Sequence, residues 1–327
     1  MIQCRTPKKT PTVDYPAIVQ AIEAQQHIFW LPTEPKVEKD LHCIKTELTP
    51  AEYHGVLTTL KLFTLYEIVA GNEYWGGKFK RLFPRYEFQR LGACYSDVEL
   101  NIHSPFYQRV DELLGLNTDE FYSSFTDDPV LKERMDFLDT AVSSDNAAYS
   151  VGVFSMVEGA ILYSSFAFLM HFQMAGKNLL PNIHAGLTFS VKDENLHSET
   201  GAYVYRTMIK EMQDNSEISD TSLQALESQL YQAADQIREH EYRIIEMVFS
   251  EGNIKGITET QMKNFVDSRI DLCLENLGLD KVYKPTYNPI ANWFYDMIGG
   301  DRQHDFFYTI DSSYNRNWTK SSFVWSN

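Results

Sequence analysis

From Asn146 to Gly176 the chain carries one formally charged residue, Glu158, set in the run FSMVEGAILYSSFAFL. A helix that is apolar all round has to be buried on every side, so the fold must close around this segment. Its most apolar part, Gly159 to Met170, falls short of the roughly 20 residues that span a bilayer, which makes it a core helix and not a membrane span. A lone carboxylate in such surroundings is protonated, paired with a cation or bound to a metal. The plainer alternative is a Glu hydrogen-bonded to a neighbouring core group.

Helical periodicity runs through the rest of the 327 residues. It predicts helices near 50–82, 86–116, 129–143, 146–176, 184–214, 220–251 and 259–277, separated by Pro, Gly, Asn and Asp. No alternating run asks to be a strand, and 43% hydrophobic content suffices for a core. The stretch DRQHDFFYTIDSSYNRNWTKSSFVWSN is polar, aromatic and aperiodic, so the reading is a helical domain over 1–300 and a flexible C-terminal docking tail over 301–327.

A net charge of −16 with scattered Lys and Arg excludes direct nucleic-acid binding and an anionic membrane as partners. The four cysteines, Cys4, Cys43, Cys94 and Cys273, are far apart and the N-terminus has no apolar leader, which points to a reducing cytoplasm.

Glu67 repeats the pattern of Glu158: it is the sole charge from Leu62 to Asn72, on the stripe Leu60, Phe63, Glu67, Ala70, Tyr74. In SVKDENLHSE, Glu194 falls on the stripe Leu187, Val191, Glu194, Ser198, while His197 joins Gly201, Val204 and Met208 on the adjoining line. A second pair, Glu99 and His103, stands in SDVELNIHSPFY, with Tyr107 one turn further. One Glu-x-x-His is a weak signal, but the order here is a buried Glu and then a Glu/His helix, twice. Ferritin-like dinuclear carboxylate proteins use this inward-facing set, one Glu from each of two helices and a Glu/His pair from each of two others. Four ionised carboxylates around one cavity repel, and two divalent cations neutralise them. Carboxylate oxygens with two imidazoles suit Fe or Mn better than Zn.

These residues resemble the small, radical-generating (beta) subunit of class I ribonucleotide reductase over nearly the whole chain. VKDENLH is similar to the family's R-D-E-x-L-H signature, MVEGAILYSSFA to its Glu helix and HSPFY to its His-x-x-x-Tyr segment. The resemblance implies an all-α, ferritin-like bundle with a dinuclear metal site ligated by Glu67, Glu99, His103, Glu158, Glu194 and His197. It implies that Tyr107 is the radical candidate, and that Trp30, Asp193 and the tail residue Tyr314 carry the oxidising equivalent to a large (alpha) catalytic subunit that reduces ribonucleotides. It also implies a homodimer, and leaves open whether an activating flavoprotein is needed.

Two departures from the family pattern matter. Glu99 and His103 are four apart where three is usual, and the extra residue can be absorbed by a π-bulge or by the amide that Pro105 lacks, with Asp97 as a rival ligand. Glu67 stands where many members have Asp, as in the Mn/Fe subclass, which usually lacks the radical tyrosine. The metal pair therefore stays open among Fe/Fe, Mn/Fe and Mn/Mn. The alternative function is a stand-alone dinuclear oxidase or oxygenase on the same bundle.

Overall fold

A computed structural model describes residues 2–174 and 176–298. Among the described residues every regular element is helical and none is a strand. The proposed tail and Tyr314 lie outside the described residues, as does the 300/301 boundary.

Local signals set the helix ends. Pro50–Ile68 starts on a reciprocal cap in which Thr49 accepts from the amide of Glu52 and the Glu52 carboxylate accepts from the amide of Thr49. Glu259–Leu277 starts on the same device with Thr258 and Gln261, and stops at Gly278 in the left-handed conformation.

Ala147–Ala160, which carries Glu158, is the central helix, and every residue in it but Tyr149 is buried. It packs along Pro181–Asp214, the helix of Glu194 and His197, and against Asp220–Val248 and Glu259–Leu277. Ser155 Oγ donates to the Ser198 carbonyl at 2.8 Å and Ser198 Oγ to the Ser155 carbonyl at 2.7 Å, pinning the register of the two helices. The approach is so close that a Cβ on Gly159 would sit 2.3 Å from Ser198 Oγ and 2.4 Å from Cys273 Sγ. The stretch Ala147–Gln173 is long and apolar enough to cross a membrane, but its most apolar 18 residues are all buried inside the bundle.

The expected single helix over 146–176 is in fact two, Ala147–Ala160 and Tyr163–Met170, because Leu162 takes a left-handed backbone at φ 73°. The expected helix over 50–82 widens to a π-helix over Val69–Phe79. That wider turn lets consecutive large rings, Tyr74 and Trp75, both face the core. The helix expected over 86–116 widens over Glu99–His103. Pro16–His27, Asp119–Asp127 and Pro289–Ile298 are further helices that the periodicity did not single out.

Candidate metal centre

Glu67, Glu99, His103, Glu158, Glu194 and His197 meet in the middle of the bundle, each at most 4% exposed. Glu67 comes from Pro50–Ile68, Glu158 from Ala147–Ala160, Glu194 and His197 from Pro181–Asp214, and Glu99 and His103 from the two ends of one π turn. The widened turn absorbs the extra residue between Glu99 and His103, and keeps both side chains inward. Asp97 points out instead and accepts from Asn101 Nδ2 at 2.7 Å, so Glu99 is the inward carboxylate of this segment. Gly71 makes room for it, since a Cβ there would come within 2.8 Å of the Glu99 Cβ.

The donor atoms fall into two overlapping groups. One is Glu67, Glu99, His103 and Glu194; the other is Glu99, Glu158, Glu194 and His197, and within each group the ligand atoms lie within 4.8 Å of one another. Glu99 and Glu194 belong to both.

The far side of each imidazole fixes what the near side offers. His103 Nε2 donates to Asp193 Oδ2 at 3.0 Å, and His197 Nε2 donates to Gln25 Oε1 at 3.1 Å. Once deprotonated, each ring therefore turns its Nδ1 lone pair inward. There His103 Nδ1 is 2.9 Å from Glu99 and 3.1 Å from Glu194, and His197 Nδ1 is 2.6 Å from Glu99. Nitrogens facing carboxylates at this range need a cation between them, a proton or a metal ion. Glu67 Oε1, both Glu99 oxygens, Glu194 Oε1 and both inward Nδ1 atoms are buried without a hydrogen-bond partner. That donor set fits two metal ions.

Electrostatics say the same in terms of protons. Burial and the Glu99 charge push Glu67 and Glu194 well above the usual carboxylate range. Burial opposes ionisation of Glu99 and of the imidazoles as well, but their mutual attraction wins. It holds Glu99 below the usual range, raises His103 strongly and brings His197 to about 9. A metal entering the site has to displace these protons.

Around the six lie the other residues expected from the sequence. Trp30 Nε1 donates to Asp193 Oδ2 at 2.8 Å, so Trp30, Asp193 and His103 form one hydrogen-bonded chain. Trp30 is fully buried, while its sequence neighbours Phe29 and Leu31 are 47% and 50% exposed. Tyr107 is buried and stacks on Phe63 with ring centroids 4.3 Å apart. Its hydroxyl pairs with Ser190 Oγ at 2.8 Å.

Sequence reasoning missed three residues here. Gln25 joins His197 to Asp193, donating from Nε2 to Asp193 Oδ1 at 2.8 Å. The stripe Ile18, Ala21, Ile22, Gln25 on Pro16–His27 signals it, a polar residue on an apolar face. Trp75 Nε1 donates to Glu158 Oε1 at 2.7 Å, from a π segment that an α-helical period misplaces. Ser190 sits one turn before Glu194, where a serine carries no signal of its own.

Residues 9–289 match the family described as ribonucleotide reductase, small chain. Two curated relatives are similar over most of their length. A probable ribonucleoside-diphosphate reductase small subunit of Invertebrate iridescent virus 3 is 22% identical, covering 92% of this chain and 82% of the relative. The ribonucleoside-diphosphate reductase subunit beta of Chlamydia pneumoniae is 24% identical, covering 87% and 83%. Among solved structures, a putative class I ribonucleotide reductase from Bacillus halodurans superposes with a TM-score of 0.76 at 18% identity, covering 86% of this chain and all of the other. Dimanganese(II)-NrdF of Streptococcus sanguinis gives 0.73 at 18%, covering 87% and 97%.

Proposed function

This chain belongs to the small-chain family of ribonucleotide reductase, and from that premise we propose that it generates and stores an oxidising equivalent at a dinuclear metal centre and passes it to a large catalytic subunit. The observation that carries the reading is the convergence of six buried donors, five of which turn atoms without a hydrogen-bond partner toward one another. One metal would be held by Glu67, Glu99, His103 and Glu194, the other by Glu99, Glu158, Glu194 and His197, with Glu99 and Glu194 shared. The chemistry the metals supply, when bound, is oxidation driven by oxygen or a reduced oxygen species.

The chain's own residues do the rest. Asp193 holds His103 in one tautomer and orientation and joins it to Trp30, which supports transfer along that chain toward the partner. Gln25 does the same for His197. Burial keeps the Tyr107 phenol protonated far above neutral pH, and Ser190 Oγ is its hydrogen-bond partner when the phenolic proton has to move. The aromatic packing around Tyr107 and Trp30 excludes water from both.

The metal pair is Fe/Fe, Mn/Fe or Mn/Mn; the all-carboxylate and imidazole donor set favours none of the three. A homodimer, docking through the tail with Tyr314 as the last carrier and a cytoplasmic setting complete the reading, and the need for an activating flavoprotein stays open with the metal pair. The four cysteines are all free thiols, as a reducing compartment requires. A stand-alone oxidase would leave the Trp30–Asp193 link without a use.

Electron paramagnetic resonance of the metal-loaded chain after oxygen exposure tests the role of Tyr107. A tyrosyl signal in the parent that vanishes in Tyr107→Phe is the expected result, and a signal that survives the substitution refutes it.

A further inference from the structure

The helix of Glu158 ends at Ala160, one residue after Gly159 and two before the left-handed Leu162. In an unbroken helix the Gly159 carbonyl would accept the amide of Tyr163. Here it accepts from Arg269 instead, from Nε at 3.0 Å and from Nη2 at 2.8 Å. The same guanidinium donates from Nη2 to Asn195 Oδ1 at 2.9 Å and lies 3.9 Å from the centroid of the Tyr163 ring, whose hydroxyl donates to Asn195 at 2.8 Å. Gly159 follows Glu158 in sequence and Asn195 follows Glu194, so one buried side chain grips the backbone beside one proposed ligand and the side chain beside another.

Arg269 is 2% exposed and has no ion pair among the described residues. Burying an arginine without a carboxylate is costly, and a neutral cap on Gly159 would serve stability as well. Its remaining bond runs elsewhere: Nη1 donates to Tyr295 Oη at 2.8 Å, on the C-terminal helix Pro289–Ile298. That helix packs on the helices of Arg269, Glu194 and Tyr163.

We propose that Arg269 is a positioning residue that sets Glu158 and Glu194 for metal, and that Tyr295 makes its grip depend on the seating of the C-terminal helix. The inference rests on the dinuclear reading above. Glu194 belongs to both donor groups but Glu158 to only one, so a disturbed grip touches both metals and loosens one more than the other, which mere loss of stability does not do. Lysine cannot replace the fork, because it lacks the planar pair of donors on the Gly159 carbonyl.

The test is Mn(II) titration of the full chain, following free Mn(II) by electron paramagnetic resonance, with thermal melts of each metal-free variant. R269K should weaken one of the two binding steps by about 10- to 100-fold, as losses of such outer partners do, and leave the other within about 3-fold. Y295F, which removes one hydroxyl from the margin of the bundle, should weaken the same step by at least about 3-fold with an unchanged metal-free melting temperature. The proposal is overturned if both variants bind two Mn(II) as the parent does, or if both steps weaken together in proportion to lost thermal stability. A parent that binds no Mn(II) instead overturns the dinuclear reading itself.

Discussion

Asp193 is the residue on which the account of transfer turns, since one carboxylate accepts from Trp30, His103 and Gln25. Asp193→Asn keeps the size and one acceptor oxygen but cannot receive all three donors. Metal loading at saturating Mn(II) should stay near two per chain while ribonucleotide reduction with the large subunit falls by at least about 100-fold; a variant that keeps full activity contradicts the transfer role. The protons at the centre give a second expectation. His197 is raised from 6.5 to about 9, so its proton stabilises the metal-free fold fully below pH 6.5, and that contribution is lost as pH rises through about 9. Metal needs the neutral ring. Between these limits Mn(II) affinity should rise with pH while the metal-free melting temperature falls; titrations and melts that move in the same direction contradict the assignment of His197. Glu158 and Glu67 were legible in the sequence because a lone charge in an apolar stretch has few explanations. Gln25 and Ser190 were not, because an uncharged polar side chain is cheap enough to bury that its place in the sequence raises no question.

At the scale of elements, two π-helical segments decide which residues reach the centre. The spacing of Glu99 and His103 predicted a widened turn or a break at Pro105, and the structure has the former. Deleting Asn101, which is exposed on that turn, restores an ordinary α-helix with the pair three apart and both still facing inward. The variant should fold, with a melting temperature within about 4 °C of the parent, and bind two metals; a variant that loses both fold and metal contradicts the view that the extra residue is absorbed locally. The longer widening over Val69–Phe79 left no mark in the periodicity, because Tyr74 and Trp75 satisfy either phase of an apolar stripe. The break at Leu162 was equally silent, since leucine has no preference for a left-handed backbone. Arg269, far away in sequence, takes up the Gly159 carbonyl that the break frees, and the packing there leaves no room for a Cβ at Gly159.

The described residues form a helical bundle closed around the apolar helix of Glu158, and that much followed from periodicity and from one charge in thirty-odd residues around Glu158. In the proposed centre, six side chains on four helical segments hold two metals between them. Crystals of the full chain soaked in Mn(II) and measured at the manganese edge test it most directly. Two anomalous peaks per chain, one beside Glu67 and His103 and one beside Glu158 and His197, are what this arrangement predicts. An anomalous map with no peak among these six residues, at an occupancy where Mn(II) binds elsewhere, contradicts it.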